Sequence, residues 1–206
     1  MADKLAVSLA RPGGNITGLT AFGGSLIGKQ LQLLTELVPS LSRLALLENP
    51  ANTNHAFQIK EAEATARSFK VQVRVFHART PDQLVEAFAA MRRERPGALL
   101  VLGDAMFFGK RATLADLASK GRLPAMYNNV EYVAAGGLIA YEASLVERFR
   151  RVGTYVDKIL RGAKAGDLPF EQPTKYELVI NAKAARALGL TVPPSLLLRA
   201  DRIIDQ

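Results

Sequence analysis

"RLALLENPANTNHAFQIKEAEATARSFKVQVRVF", residues 43–76, decides how the rest of the chain is read. Its first part, Arg43 to Asn49, is a short apolar run stopped by Asn-Pro, as expected of a strand buried on both faces. Residues 52–69 then place Phe57, Ile59, Ala62, Ala66 and Phe69 at helical spacing, with Asn52 or Thr53 positioned to cap the helix. Val71 to Phe76 returns to a strand. Strand, helix and strand in this order predict a parallel βαβ unit.

The alternation continues outward in both directions. Upstream, Leu26, Ile27, Leu31, Leu34, Leu37 and Val38 recur at helical spacing and stop at Pro39. Downstream, residues 80–94 predict a helix with Thr80 as N-cap and Pro81 at its first position. "GALLVLGD" (97–104) predicts a fully apolar strand, and "GKRATLADLASKG" (109–121) a helix closed by Gly121. "LPAMYNN" (123–129) is a fourth strand with a helical turn at Val130 to Ala134 behind it. "GGLIAYEA" (136–143) is one more short strand. A long helix follows over 144–162, with Leu145, Phe149, Val152, Val156 and Ile159 on one side. A turn-rich connector then leads to "YELVINAKAARALGL" (176–190), a strand entering a final helix. The expected fold class is α/β, a parallel sheet flanked by helices on both faces.

Composition narrows the function. The 206 residues contain no cysteine, which excludes disulfides, thiolate metal sites and cysteine nucleophiles. No apolar run is long enough to span a membrane, and no signal-peptide pattern opens the chain, so the expectation is a soluble chain without an export address. The formal charge of +8 raises the question of nucleic acid. The basic groups "MRRERPG" and "ERFRRVG" stand beside carboxylates, Trp is absent, and no aromatic-interleaved basic stripe offers a stacking platform. A solvated basic surface is expected, with no nucleic-acid partner.

In open parallel sheets, ligands sit beyond the carboxyl ends of the strands. That rule selects Glu48, Asn49 and Asn52, then His77, then Asp104, then Tyr127, Asn128 and Asn129, then Tyr141 and Glu142. Amides, carboxylates and tyrosines there suit a small polar ligand. Asn49, Asn52 and Asp104 are equally suited to be turn formers and helix caps, and chemistry alone leaves both readings open. His55 and His77 lack partners at metal-ligand spacing, so no metal site and no histidine triad is expected. His55 reads as part of the first helical turn, and His77 as a strand end near solvent. No nucleophile elbow, zinc-protease or Walker sequence is present, and no cofactor is expected. "LARPGGNITGLT" (9–20) has the glycines of a phosphate loop without its lysine-hydroxyl pair, and suits a turning chain better.

Several phrases resemble one family. "SLARPGGNITGLT", "GKQLQLLTELVPSLSRLALLENPANTNH", "LPAMYNNVEYVAAGGLIAY" and "YVDKILRGAKAGDLPFEQPTKYELVINAKAARALGLTVPPSLLLRADRII" are similar to ABC-transporter substrate-binding proteins related to tryptophan- and tyrosine-binding proteins. The resemblance runs from about Leu5 to the C-terminus. It implies a type I periplasmic-binding-protein (flavodoxin-like) fold of two lobes, with a small solute clamped between them and the closed form docking on an inner-membrane ABC permease. It implies a binder and not an enzyme.

Under that resemblance, residues 1–24 are a remnant of the first lobe and a hinge at Gly13, Gly14, Asn15 and Gly18. Residues 25–135 are the second lobe, 136–165 a strand and helix returning to the first, and 166–206 a final crossover with the C-terminal strand and helix. Ligand contacts fall to Asn49, Asn52, Asp104, Tyr127, Asn128 and Tyr141, for an amino-acid-like solute. Asn49 and Asn52 hold its polar groups, Asp104 an ammonium or hydroxyl, and the tyrosines stack on its apolar body. The family implies a periplasmic or membrane-anchored protein with an export signal and about a hundred further residues ahead of the hinge. Their absence predicts a second lobe largely complete, a first lobe mostly missing, and a cytoplasmic chain as written. The long helix then has a bare apolar face, which predicts homo-oligomers through the first-lobe remnant. Rival readings are a non-binding oligomeric remnant, the effector domain of a regulator, and a nucleotide-dependent α/β enzyme.

Overall fold

The computed structural model describes residues 6–20 and 26–205. The chain forms two compact units, residues 1–24 with 143–176 and residues 25–142 with 177–206. The expected boundary between residues 24 and 25, like the start of the family resemblance at Leu5, lies outside the described residues.

The larger unit runs α1 (Leu26–Leu37), β1 (Arg43–Glu48), α2 (His55–Ser68), β2 (Gln72–His77), α3 (Pro81–Glu94), β3 (Ala98–Val101), α4 (Ala105–Gly109), α5 (Arg111–Lys120), β4 (Ala125–Tyr127), α6 (Val130–Ala134) and β5 (Ile139–Ala143). After α7 (Leu145–Leu160), in the smaller unit, β6 (Tyr176–Asn181), α8 (Ala182–Ala187), α9 (Pro194–Arg199) and β7 (Arg202–Ile204) complete the sheet. Its order is β2-β1-β3-β4-β5-β6-β7. β1 runs parallel to β2 and β3, β3 to β4, β4 to β5, and β6 to β7.

Strand parity builds the two core layers. Leu44, Leu46 and Leu100 join α1 and α2 on one face, while Ala45, Leu47, Leu99 and Val101 join α3, α5 and α6 on the other. Both faces are covered, which is why these strands are apolar without interruption. Thr80 caps α3 as expected, accepting from the Gln83 N–H at 3.4 Å, with Pro81 at the first helical position.

Three expectations are corrected. The N-cap of α2 is Asn54, which makes no side-chain cap bond; Asn52 Oδ1 instead accepts from the Asn54 N–H at 3.2 Å. Phe57 and Phe69 are exposed, because α2 approaches its neighbours through the small residues Ala62 and Ala66. Gly121 closes α5 as expected, though with an ordinary right-handed φ of −76°, and the left-handed residue is Arg122. The strand expected to return to the first lobe is β5, which pairs with β4 in the larger unit's sheet because its apolar residues fill both core layers. The sequence reading also missed α9 and β7, which at six and three residues are too short for periodicity to register.

In the smaller unit the Gly-rich segment packs on its own chain. Gly13, at φ +74°, donates its N–H to Gly166 O at 3.0 Å, and Thr20 donates to Glu171 O at 2.9 Å. A Cβ at Gly166 would stand 2.6 Å from Gly14 O, so this crossing requires glycine. Those N–H groups serve carbonyls of the same unit and make no phosphate cradle. On α7, Tyr155 is buried and its hydroxyl donates to Pro169 O, while Arg151 forks onto Glu171 at 2.8 and 2.5 Å. The stripe Leu145, Phe149, Val152, Val156 and Ile159 faces solvent, each residue at least 42% exposed.

Candidate functional site

Strands β1 to β5 run parallel, whereas β6 is antiparallel to β5, with Asn181 N–H donating to Leu138 O and Ser144 N–H to Lys175 O. The parallel run brings the βα loops after β1 to β4 to one end of the sheet. Three loops meet there through side chains, and His55 joins two of them. Fully buried at the start of α2, His55 accepts the Asn49 N–H at Nδ1 (2.9 Å) and faces Gly103 O with Nε2 (3.0 Å). A backbone N–H only donates and a carbonyl only accepts, which assigns the neutral tautomer with its proton on Nε2. The β1–α2 loop is thereby fixed to the loop after β3. His77, at the exposed end of β2, pairs through Nδ1 with the buried Glu48 carboxylate at 2.5 Å. Both histidines lie where the sequence suggested. That His55 would join loops was invisible, since its partners are 6 and 48 residues away.

Asp104 is the centre of the cluster. It caps α4, accepting from the N–H groups of Met106 (2.9 Å) and Phe107 (3.3 Å). Its carboxylate also accepts from Asn49 Nδ2 at 3.3 and 3.2 Å and from Asn52 Nδ2 at 3.2 Å. Partial burial pushes its pKa up, but the two amides and two backbone N–H groups outweigh burial and hold it below the ordinary carboxylate value. Asn49 Oδ1 meanwhile accepts the Ala51 N–H at 3.0 Å, closing the turn. The two readings of these residues are therefore reconciled: they cap and turn, and in doing so gather one carboxylate and two amides at a single point.

Asn128 stands beside this group. A Cβ on Gly103 would come within 2.4 Å of Asn128 Nδ2, so the bare Cα of Gly103 makes room for the amide. Asn128 is half-buried and its side chain makes no hydrogen bond among the described residues. Asn129 caps α6, accepting from Glu131 N–H at 2.8 Å, and the buried Glu142 accepts from Val130 N–H at 2.7 Å. Tyr141 is half-buried against the α1 side of the core, and its carbonyl accepts from Gln30 Nε2 at 2.8 Å.

Tyr127 departs from the expectation. Its ring is fully buried on the α3 side of the sheet and stacks on Tyr132, centroids 4.6 Å apart and planes 13° apart. Burial, then the neighbouring Tyr132, pushes its phenol well above the ordinary value. Strand parity decides this: Met126 points to the α1 side, so Tyr127 must point to the other. A ring with no exposed surface cannot stack on a solute. Tyr127 supports the loop that carries Asn128.

The smaller unit holds a separate cleft of about 580 Å³, lined by Ser144, Glu147, Arg148, Arg151, Glu171 and Lys175 among others. The guanidinium of Arg151 holds the Glu171 carboxyl below its usual range. Sequence reasoning did not find this cleft, because it forms only where the first turns of α7 meet the connector residues 171–175, which carry no periodic signal.

With this geometry in place, comparison with known proteins decides the family. The model of the ABC transporter substrate binding protein family matches residues 1–204. The chain belongs to that family. It is similar to a tyrosine-binding protein of Clostridioides difficile (strain R20291), 22% identical over 186 residues, or 90% of this chain and 53% of the relative. It thus spans about half the length of that curated family member. An ABC domain from Streptococcus pneumonia solved in complex with L-Trp superposes with a TM-score of 0.88 at 25% identity, covering 97% of this chain and 67% of that one. A conserved domain protein of Vibrio cholerae gives the same TM-score at 24% identity and the same coverage. The fold is that of type I periplasmic binding proteins, and members of the family bind substrates for ABC transporters. No described helix is long and apolar enough to cross a membrane.

Proposed function

We propose that the chain is the solute-binding component of an ABC importer and binds a small amino-acid-like solute without chemical conversion. The observation that carries this reading is the likeness to the domain solved with L-Trp. The tyrosine-binding relative supports the same solute class. The solute sits at the carboxyl ends of the larger unit's strands, in a cleft that a first lobe closes. The closed form docks on an inner-membrane permease, outside the cytoplasm.

Roles follow from which groups have bonding capacity left. Asn128, with an unengaged amide beside Gly103, binds the solute's polar group directly. Asp104 carries the negative charge that attracts an ammonium, while Asn49 and Asn52 hold that carboxylate in place. Tyr141 offers the apolar contact, and Tyr127 only supports the loop.

Isothermal titration of the chain with an amino-acid panel led by L-Trp and L-Tyr is the test. Asn128→Ala is expected to weaken binding at least tenfold, and so is Asp104→Asn, which keeps a capping oxygen but removes the charge. Affinities unchanged in both variants would overturn the site.

A second reading rests on the exposed stripe of α7. Its spacing of four, three, four and three residues is that of a helix–helix seam, and a second copy would cover it. In this reading the chain associates with itself through the smaller unit. Light scattering at micromolar concentration should then give a dimer or larger species, reduced to monomer by Phe149→Glu with Val156→Glu. A wild-type monomer under those conditions removes the reading.

A further inference from the structure

The end of the sheet opposite the candidate site gathers the charge that looks scattered along the sequence. There α2, α3 and α5 terminate, each followed by a cation in the left-handed region: Lys70 at φ 57°, Arg95 at φ 50° and Arg122 at φ 50°. Glycine is the favoured residue for this position, since a Cβ disfavours it. Three successive units nevertheless carry a long basic side chain there. Arg43, the first residue of β1, completes the row and ties it to α3 by donating to Glu94 O at 3.0 Å and Arg95 O at 2.9 Å. The sheet order β2-β1-β3-β4 sets Lys70, Arg43, Arg95 and Arg122 side by side. With neighbouring strands about 4.8 Å apart, the row spans roughly 15 Å.

Between the ends of α3 and α5 the row opens into a cleft of about 180 Å³. Its floor is apolar, from Phe88, Met91, Pro96 and Leu123, and its rim holds Arg92, Arg95 and Arg122. The side chains of these three arginines and of Arg93 make no ion pair among the described residues. The nearby carboxylates are engaged, Glu94 by Arg74 at 3.1 Å and Asp116 by Lys120 at 2.8 Å. Helix C-termini attract cations, which accounts for one basic residue per helix. It does not account for three arginines around an apolar cleft.

We propose that this cleft docks an acidic segment of a partner protein, one apolar side chain entering the cleft while flanking carboxylates engage Arg92, Arg95 and Arg122. Planar guanidinium forks match carboxylates in pairs. The apolar surface is recessed, so the partner must supply the protruding group; a membrane-binding face would present the protrusion itself.

The test uses a fluorescein-labelled acidic peptide, three glutamates on either side of a single leucine, followed by fluorescence anisotropy at low salt with the full chain. Binding is expected, weakening at least tenfold in the Arg95→Gly/Arg122→Gly double variant. Glycine suits both backbone positions, so this variant should keep or raise its melting temperature, which separates lost docking from lost folding. A peptide with glycine in place of leucine should bind several-fold more weakly. The proposal is overturned if wild type does not bind the peptide, if the double variant binds it equally well, or if only phosphatidylglycerol vesicles bind.

Discussion

Tyr127→Ala is expected to lower stability by about 3–5 kcal/mol, the range for deleting a fully buried aromatic side chain. The ring is closed in on several sides: Tyr132 stacks on one face, and Gly137 lies so near that a Cβ there would stand 2.7 Å from Tyr127 Cε2. Little can collapse into the space left behind. Tyr127→Phe should do the opposite. Among the described residues the buried hydroxyls of Tyr127 and Tyr132 have no hydrogen-bond partner, so removing one relieves a desolvated polar group and raises stability by about 1 kcal/mol. Urea unfolding followed by circular dichroism measures both variants. A Tyr127→Phe protein less stable than wild type by more than 1 kcal/mol would mean that the hydroxyl is serving a partner.

Asp104→Ala carries the second large effect, about 2 kcal/mol, from a lost helix cap together with two amides left without their acceptor. The loss should depend on pH. The folded-state pKa of Asp104 is lowered, so its ionised form stabilises the fold fully above the unfolded-state value of about 3.9. That contribution disappears as pH falls through the folded-state pKa. The stability gap between wild type and Asp104→Asn should therefore be constant near pH 7 and close progressively below about pH 4. A gap unchanged down to pH 2 would show that the carboxylate's charge is not what the amides hold.

Much of the larger unit was legible from hydrophobic pattern. Runs such as Leu44–Leu47 and Leu99–Val101 are apolar because helices cover both sheet faces, and that constraint is written locally. The helical turn expected at Val130 to Ala134 is α6. The site was half legible: the rule of strand ends found Asn49, Asn52, Asp104 and Asn128, but could not say which had bonding capacity to spare. Asp104 is already satisfied by four donors, and the two amides among them come from some fifty residues away.

The sequence by itself determined the alternation of elements, the parallel run from β1 to β5 and the amphipathic α7, because each depends on apolar runs or a period of 3.6 residues within one segment. Tertiary structure alone decided three things. Strand parity turned Tyr127 into the core, although Asn128, the next residue, stands at the candidate site. The buried ring of His55 joined two loops that are far apart in the chain. The parallel run of β1 to β4 also collected their preceding turns at one end, so that arginines separated by dozens of residues became a single basic row. Charge along a chain is local information, whereas charge across a surface is set by where the fold brings the turns together.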